Sequence, residues 1–489
     1  MNERQRAYEQ VTREDVVLFV NACFACTGQQ EFYCDAAHQR VAIDFLHEYM
    51  RVNYRRLYAQ TLATGVNHYN QAKIIVDLLA TGRETSLQQR REEGRIISAA
   101  LRAMPPQRAY RALRALQRRG VNNRRSRAVI RDYMAARPEP SFDVVKYRNK
   151  VRGLAAHAHL RLDAEAGDLL FGRVAGRPFE TPLFETFRQA HYARDRVYDL
   201  PFTIAEGLAA RHGISREEFL RKIQPKMTQT EKLRSQRSAT RAGRGVEIGI
   251  DLSRSSLLQL CVYLLSLPVA ERVARRAELE PALTAAARRG SRGASSRLGR
   301  VAAVLDRSYS SGGSAEKRNR PLAVALAASQ LFRLAANEYR AFWSPAPESG
   351  RSAKDEVDGL TVEPRGQTDL ATPLLDALDW RPDTVVIVSD GFENDPPGAV
   401  SQLVRVFRER IERRDQRVSI AHMNPVFDAA NLAPRSLGPE IPTVGVRDVE
   451  SLVTLLSFAK FSDGSTSLAD LQTHLDDRVQ QLLAAFPPS

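Results

Sequence analysis

Residues 301–305, Val-Ala-Ala-Val-Leu, carry no polar side chain and run straight into Asp306-Arg-Ser308-Tyr-Ser310. A run that short and that apolar suits a strand buried on both faces, a situation found almost only in parallel sheets covered by helices. The remaining C-terminal sequence repeats the pattern. Tyr339 to Trp343, Thr384 to Val388, Val418 to Met423 and Thr443 to Val446 read as strands. Helical stretches separate them, at Arg320 to Ala336, Leu370 to Leu378, Ala399 to Arg413 and Val449 to Phe458. Repeated βα units predict an α/β fold with a doubly wound, mostly parallel sheet. Such sheets bind ligands at the carboxyl ends of their strands, where Asp306 and Asp390 both fall.

The residues at those ends form a coherent donor set. Asp306, Ser308 and Ser310 follow the first strand, Thr368 lies in Arg365-Gly-Gln-Thr368-Asp369, and Asp390 closes Thr384-Val-Val-Ile-Val-Ser-Asp390. Carboxylates and hydroxyls without thiolate or imidazole suit Mg²⁺ (or Mn²⁺) better than zinc. Two carboxylates and three hydroxyls leave coordination open for water or for a partner's carboxylate. The same Asp-x-Ser-x-Ser pattern recurs at Asp251-Leu-Ser253-Arg-Ser255, after Val246 to Ile250. There an amphipathic helix follows at once, and the polar stretch 288–297 separates it from Thr368 and Asp390, so it reads as a helix cap.

In order and spacing, Asp306, Ser308, Ser310, Thr368 and Asp390 resemble the metal-ion-dependent adhesion site of von Willebrand factor A domains, over roughly residues 300–460. The resemblance implies a bound Mg²⁺ with Asp306, Ser308, Ser310 and Thr368 as direct or water-mediated ligands and Asp390 close by. It also implies a protein partner that offers an acidic side chain to the metal. Arg307 and Tyr309, bulky residues between the ligands, depart from the usual pattern.

Residues 1–290 follow a different grammar. Ile75 to Ala80, Ile96 to Met104, Gln107 to Arg118 and Phe202 to Ala210 place apolar residues three and four apart, and Met104-Pro-Pro, Arg137-Pro-Glu-Pro and Arg177-Pro interrupt them. Helix after helix with short turns predicts an all-α, irregular helical-repeat solenoid. Its charge is lopsided. Residues 1–297 hold 51 basic and 31 acidic side chains, against 21 and 26 in residues 298–489. Within residues 101–150 the balance is 14 to 3. Arg108, Arg111, Arg114 and Arg118 line one helical face, opposite Leu113 and Leu116, with Tyr110 toward the edge. Arg119, Arg124, Arg125, Arg127 and Arg131 follow. A one-signed surface of this kind points to an anionic partner, and nucleic acid is the commonest.

The segment Val144-Val-Lys146-Tyr-Arg148-Asn-Lys150-Val-Arg152-Gly153, leading to Leu160-Arg161-Leu162, is similar to a pattern of the Ro autoantigen (TROVE-domain) family. That family joins a ring of HEAT-like helical repeats to a C-terminal von Willebrand A domain, the order expected here. The resemblance implies RNA binding, with small structured RNAs on the outer surface and single-stranded ends in the ring's hole. It carries RNA contact to Lys146 and Lys150, with Arg148 and Arg152 in the same segment. The family's histidine beyond Leu-Arg-Leu falls near Ala164 and is absent, while His157 and His159 lie earlier.

Cys23, Cys26, Cys34 and His38 have a spacing compatible with zinc, although their surroundings are apolar. No phosphate loop, nucleophile elbow or paired catalytic carboxylate is present, so a non-catalytic protein is expected. Glu393 and Asp395 beside Asp390 leave metal-dependent phosphoester hydrolysis as a distant alternative. An adaptor that binds proteins through its A domain and binds no RNA is the nearer rival. The division expected is a basic helical domain at 1–290, a linker at 291–299 and an A domain at 300–489. Without a hydrophobic leader or a long apolar run, and with four cysteines, the expectation is a cytoplasmic protein with no membrane segment.

Overall fold

The structure is a computed structural model. It describes residues 2–172, 178–232, 235, 248–249, 251–291, 298–345, 357–412, 417–447, 459, 461 and 466–487. The helix expected at Val449–Phe458 and most of the expected linker, 292–297, lie outside the described residues. So does most of the stretch from Val246 to Ile250.

The chain divides into two compact units, one of residues 1–70 with 253–480 and the other of residues 71–252 with 481–489. This differs from the expected boundary near 290. The first 70 residues and the helices from 257 to 290 belong with the sheet, and the reason is packing. Helix Arg320–Ala335 is buried at Leu322 through Ser329 and again at Leu331 and Phe332. A helix apolar on every side needs more cover than one sheet face provides. Helices Leu257–Leu264 and Arg276–Gly290 pack against it and supply that cover.

The sheet has five parallel strands: β1 (Leu298–Asp306), β2 (Ala336–Ser344), β3 (Thr384–Val388), β4 (Ser419–Asn424) and β5 (Thr443–Gly445), in the spatial order β2-β1-β3-β4-β5. β1 pairs with β3 from Val301↔Thr384 to Leu305↔Val388, and with β2 as far as Asp306↔Ser344. On one face Ala302, Val304, Val385, Ile387 and Ile420 pack with Leu374, Ala377 and Val404 of the covering helices. The chain leaves β1 to one side for β2 and returns to the other for β3. Strand direction therefore opens a crevice at the carboxyl ends of β1 and β3, the switch point of the sheet.

Edge strand β5 is closed by an N-terminal helix, Glu3–Ala25. The Asn21 amide donates to Thr443 O (3.3 Å), and its Oδ1 accepts from Gly445 N (3.2 Å), so one side chain stands in for a missing strand. Gly445 permits the approach, since a Cβ there would lie 2.2 Å from Asn21 O.

In the other unit every helix expected from periodicity is present. Leu87–Ala103, Pro106–Arg118 and Phe202–Ala209 are joined by Arg124–Ala135, Pro140–Lys146, Arg148–Ala158 and others. Local sequence sets the starts. Asn123 and Ser126 form a reciprocal capping box, Ser86, Asp163 and Ser215 cap by side chain, and Pro106 and Pro140 open their helices. Helix Pro106–Arg118 packs against Arg148–Ala158, which also meets Arg124–Ala135.

Candidate metal centre and nucleic-acid interface

Asp306 ends β1 with its side chain buried, and its Oδ1 accepts from Ser308 N (2.7 Å). That turn brings the Ser308 and Ser310 hydroxyls to 3.1 Å of each other. Two neighbouring loops are stitched to it. Arg365 N donates to Arg307 O (2.7 Å) and Tyr309 N to Gly366 O (3.0 Å), which carries Thr368 in. Thr368 is held to the loop after β3: its N donates to Asn394 Oδ1 (2.9 Å), and its carbonyl accepts from Asn394 N and Asp395 N. Asp390 sits at the start of that loop, ahead of Gly391, whose φ of +78° and 2.6 Å approach to Arg435 O leave no space for a side chain. The loops at the ends of β1 and β3 and the one bearing Thr368 thus converge at the switch point.

The electrostatics of this cluster are unbalanced as it stands. Asp306 and Asp390 are both buried, and burial pushes both carboxyls above their ordinary range. The charge of Asp390 raises Asp306 further. Asp390 Oδ1 accepts from Phe392 N (3.1 Å), but Oδ2, sealed from solvent, has no hydrogen-bond partner. Two facing buried carboxylates, one with an orphaned oxygen, are costly unless a cation lies between them. The donor set therefore fits Mg²⁺ or Mn²⁺. Asp306, Ser308, Ser310, Thr368 and Asp390 would hold it, and a bound divalent ion would supply an electrophilic centre for a carboxylate.

Of the residues between the ligands, Arg307 turns inward, 4% exposed, and its guanidinium donates to Pro345 O. Burial and Arg365 lower its pKa to about 10. Only Tyr309, 66% exposed, remains to meet a partner.

Asp251-x-Ser253-x-Ser255 does not cap the helix after it. Ser256 does, in a capping box with Gln259, and Asp251 N instead donates to Gln229 Oε1. The zinc spacing is not realised either. Cys23 and Cys26 are buried, His38 is exposed with Nδ1 on Asp35 Oδ2 (2.7 Å), and Cys34 contacts Asp35 O. Among the described residues no three His, Cys, Asp or Glu side chains converge on a metal position. Cys26 Sγ instead contacts Gln39 Oε1 (3.5 Å), and Gln39 Nε2 donates to Phe427 O (2.7 Å).

In the helical unit the structure gathers several of the expected basic residues. Arg108, Arg111, Arg114 and Arg118 are exposed along helix Pro106–Arg118, while Ala112, Leu113 and Leu116 are buried. Tyr110 is buried too, its hydroxyl donating to Asp143 Oδ2 (3.0 Å). Lys150 lies beside this face. Burial, then Arg111, Arg114 and Arg108, pull its ammonium below the ordinary lysine range. Lys146 and Lys150 both lie over the Tyr147 ring, at 5.8 and 5.5 Å, while Arg148 covers Phe187 and Arg152 covers Phe171.

Two expected RNA contacts are already engaged. Arg125 pairs with buried Glu93 (3.0 Å), and Arg119 pairs with Asp77. Arg124 instead lines a cavity of about 930 Å³ together with Arg127, Arg131, Arg161 and Asp143.

Residues distant in sequence complete the surroundings of the candidate site, and no spacing pattern announced them. Tyr33 lies near Ser310, Asp390 and Asp306, and burial, then those carboxylates, raises its pKa. Arg435 lies 4.3 Å over the Phe392 ring. Among the described residues no helix is long and apolar enough to cross a membrane. No protein-family model matches the chain, and no curated protein matches it.

Proposed function

We propose that the chain is a non-catalytic RNA-binding protein of the Ro (TROVE) type. In this reading its HEAT-like helical unit takes small non-coding or single-stranded RNA, and its sheet unit is a von Willebrand A domain with a metal-ion-dependent adhesion site. The observation that carries the RNA reading is the exposed face of Arg108, Arg111, Arg114 and Arg118 on helix Pro106–Arg118, opposite its buried Leu113 and Leu116, with Lys150 beside it. A surface of one sign is stabilised by a polyanion. Lys146, Arg148, Arg152 and Arg124 extend the basic surface; Arg119 and Arg125 contribute structure. The aromatic rings beneath Lys146 and Lys150 suit stacking on unpaired bases. Purification in moderate salt tests the reading. Nuclease-sensitive nucleic-acid absorbance accompanying the protein supports it, and its absence at low salt as well rejects it.

The second reading is a protein-interaction adaptor without RNA. The orphaned Asp390 Oδ2 favours it to this extent: the metal centre is a reason for partner binding that does not involve the basic unit. On either reading the metal serves docking, not hydrolysis.

A further inference from the structure

We infer that Tyr33 is the chain's own occupant of its metal centre, a phenol that caps the cation site and that a partner's carboxylate must displace. This rests on the Mg²⁺ reading of the Asp306–Asp390 cluster. Residues 30–34 form a strap fastened to the loop that follows the serine ligands. Gln30 N donates to Glu316 Oε2 (3.0 Å), and Ser314 Oγ donates to Gln30 O (2.7 Å). Between these lies an ion pair of Glu31 with Lys317, whose side chains are 2% and 3% exposed. Burial acts against the charged form of both, so the pair adds little net stability; its effect is to fix position. A hydrogen bond from Glu31 N to Cys34 O (2.8 Å) closes the turn and projects Phe32 and Tyr33 outward from it.

Two residues beyond this latch, the Tyr33 ring packs on Phe392, with centroids 4.0 Å apart and planes tilted by 34°; Phe392 follows Asp390 by two positions. That placement brings the phenol close to Ser310, Asp390 and Asp306, whose carboxylates act on it. A phenol oxygen is a hard donor able to face Mg²⁺ directly or to hold one of its waters. Phe32 and Tyr33 each remain about half exposed, so the cap sits at the surface and can leave without unfolding the strap.

Tb³⁺, a luminescent stand-in for the divalent ion, reads this directly, because a tyrosine sensitises its emission only at close range. Full-length protein is titrated with Tb³⁺ under tyrosine excitation, alongside Tyr33→Phe and Tyr309→Phe; Phe keeps the ring on Phe392. Emission should be largely lost in Tyr33→Phe and retained in Tyr309→Phe. With Mg²⁺ present, a short aspartate peptide should bind Tyr33→Phe roughly tenfold more tightly than wild type, the scale of one competing charge-assisted hydrogen bond. Emission unchanged in Tyr33→Phe overturns the inference while leaving the metal centre standing. A wild-type protein whose emission and melting temperature both ignore Tb³⁺ rejects the metal centre, and the cap with it.

Discussion

At the residue scale, the buried carboxyls of Asp306 and Asp390 dominate the electrostatics of the candidate site. Without a cation their burial is unfavourable, so metal should add stability by mass action, about 2.7 kcal/mol at a hundred times Kd. Asp306→Ala should abolish the Mg²⁺-dependent rise in melting temperature measured by calorimetry, while Asp251→Ala should keep it; the reverse result would assign the site to the wrong copy of the motif. His422 makes a separate prediction. It is fully buried, with Nε2 at Ser389 and Nδ1 near Thr443 Oγ1, and burial lowers its pKa to about 4. The unfolded chain binds this proton near pH 6.5 and the folded chain does not. Stability from this group is therefore whole above that pH and is lost as pH falls toward 4, by up to about 3 kcal/mol. Denaturant unfolding of His422→Gln should show a shallower decline through that window, and an unchanged slope would contradict the assignment.

At the element scale, the β5 edge shows how far a helix can replace a strand. Gly445→Ala would drive a Cβ into Asn21 O, and overpacking of this kind costs about 1–3 kcal/mol. Chemical denaturation should report that loss, with no comparable loss for Gly94→Ala, where a Cβ meets nothing. Five strands were legible because each is a compact apolar run, and β3 matches its expected bounds, Thr384 to Val388. Helices of the basic unit were legible from three- and four-residue spacing and from the proline breaks between them. Membership of helices was not. Val16, Phe19 and Val20 predict a buried face, but nothing local says that the face meets β5 or that Asn21 completes it. Asp251 failed for a related reason: caps are chosen by one-residue shifts, and Ser256 is better placed. Within the candidate site, Asp306, Ser308, Ser310, Thr368 and Asp390 were readable as one strand-loop frame, and their loops converge as expected. Tyr33 and Lys317, joined to it from 286 positions apart in the case of Glu31 and Lys317, were not.

At the scale of the whole molecule, the two units divide the chemistry by charge. The expected domain border at 290 counted residues 1–70 with the basic part, yet those residues carry 7 basic and 8 acidic side chains and fall in the unit that holds the sheet. The excess positive charge is concentrated instead at residues 101–150, on and around helix Pro106–Arg118. A polyanion held there releases counterions, so binding should weaken steeply with salt, with a logarithmic slope of about −0.7 per phosphate contact for a single strand. The most direct measurement is fluorescence anisotropy of a labelled single-stranded RNA against wild type and an Arg111→Ala/Arg114→Ala/Lys150→Ala variant across a salt series. The expected result is salt-sensitive binding by wild type, with the variant weaker and its slope shallower by about two, three contacts at −0.7 each. Binding that is absent at low salt, or that is indifferent to all three substitutions, would contradict RNA recognition by this surface.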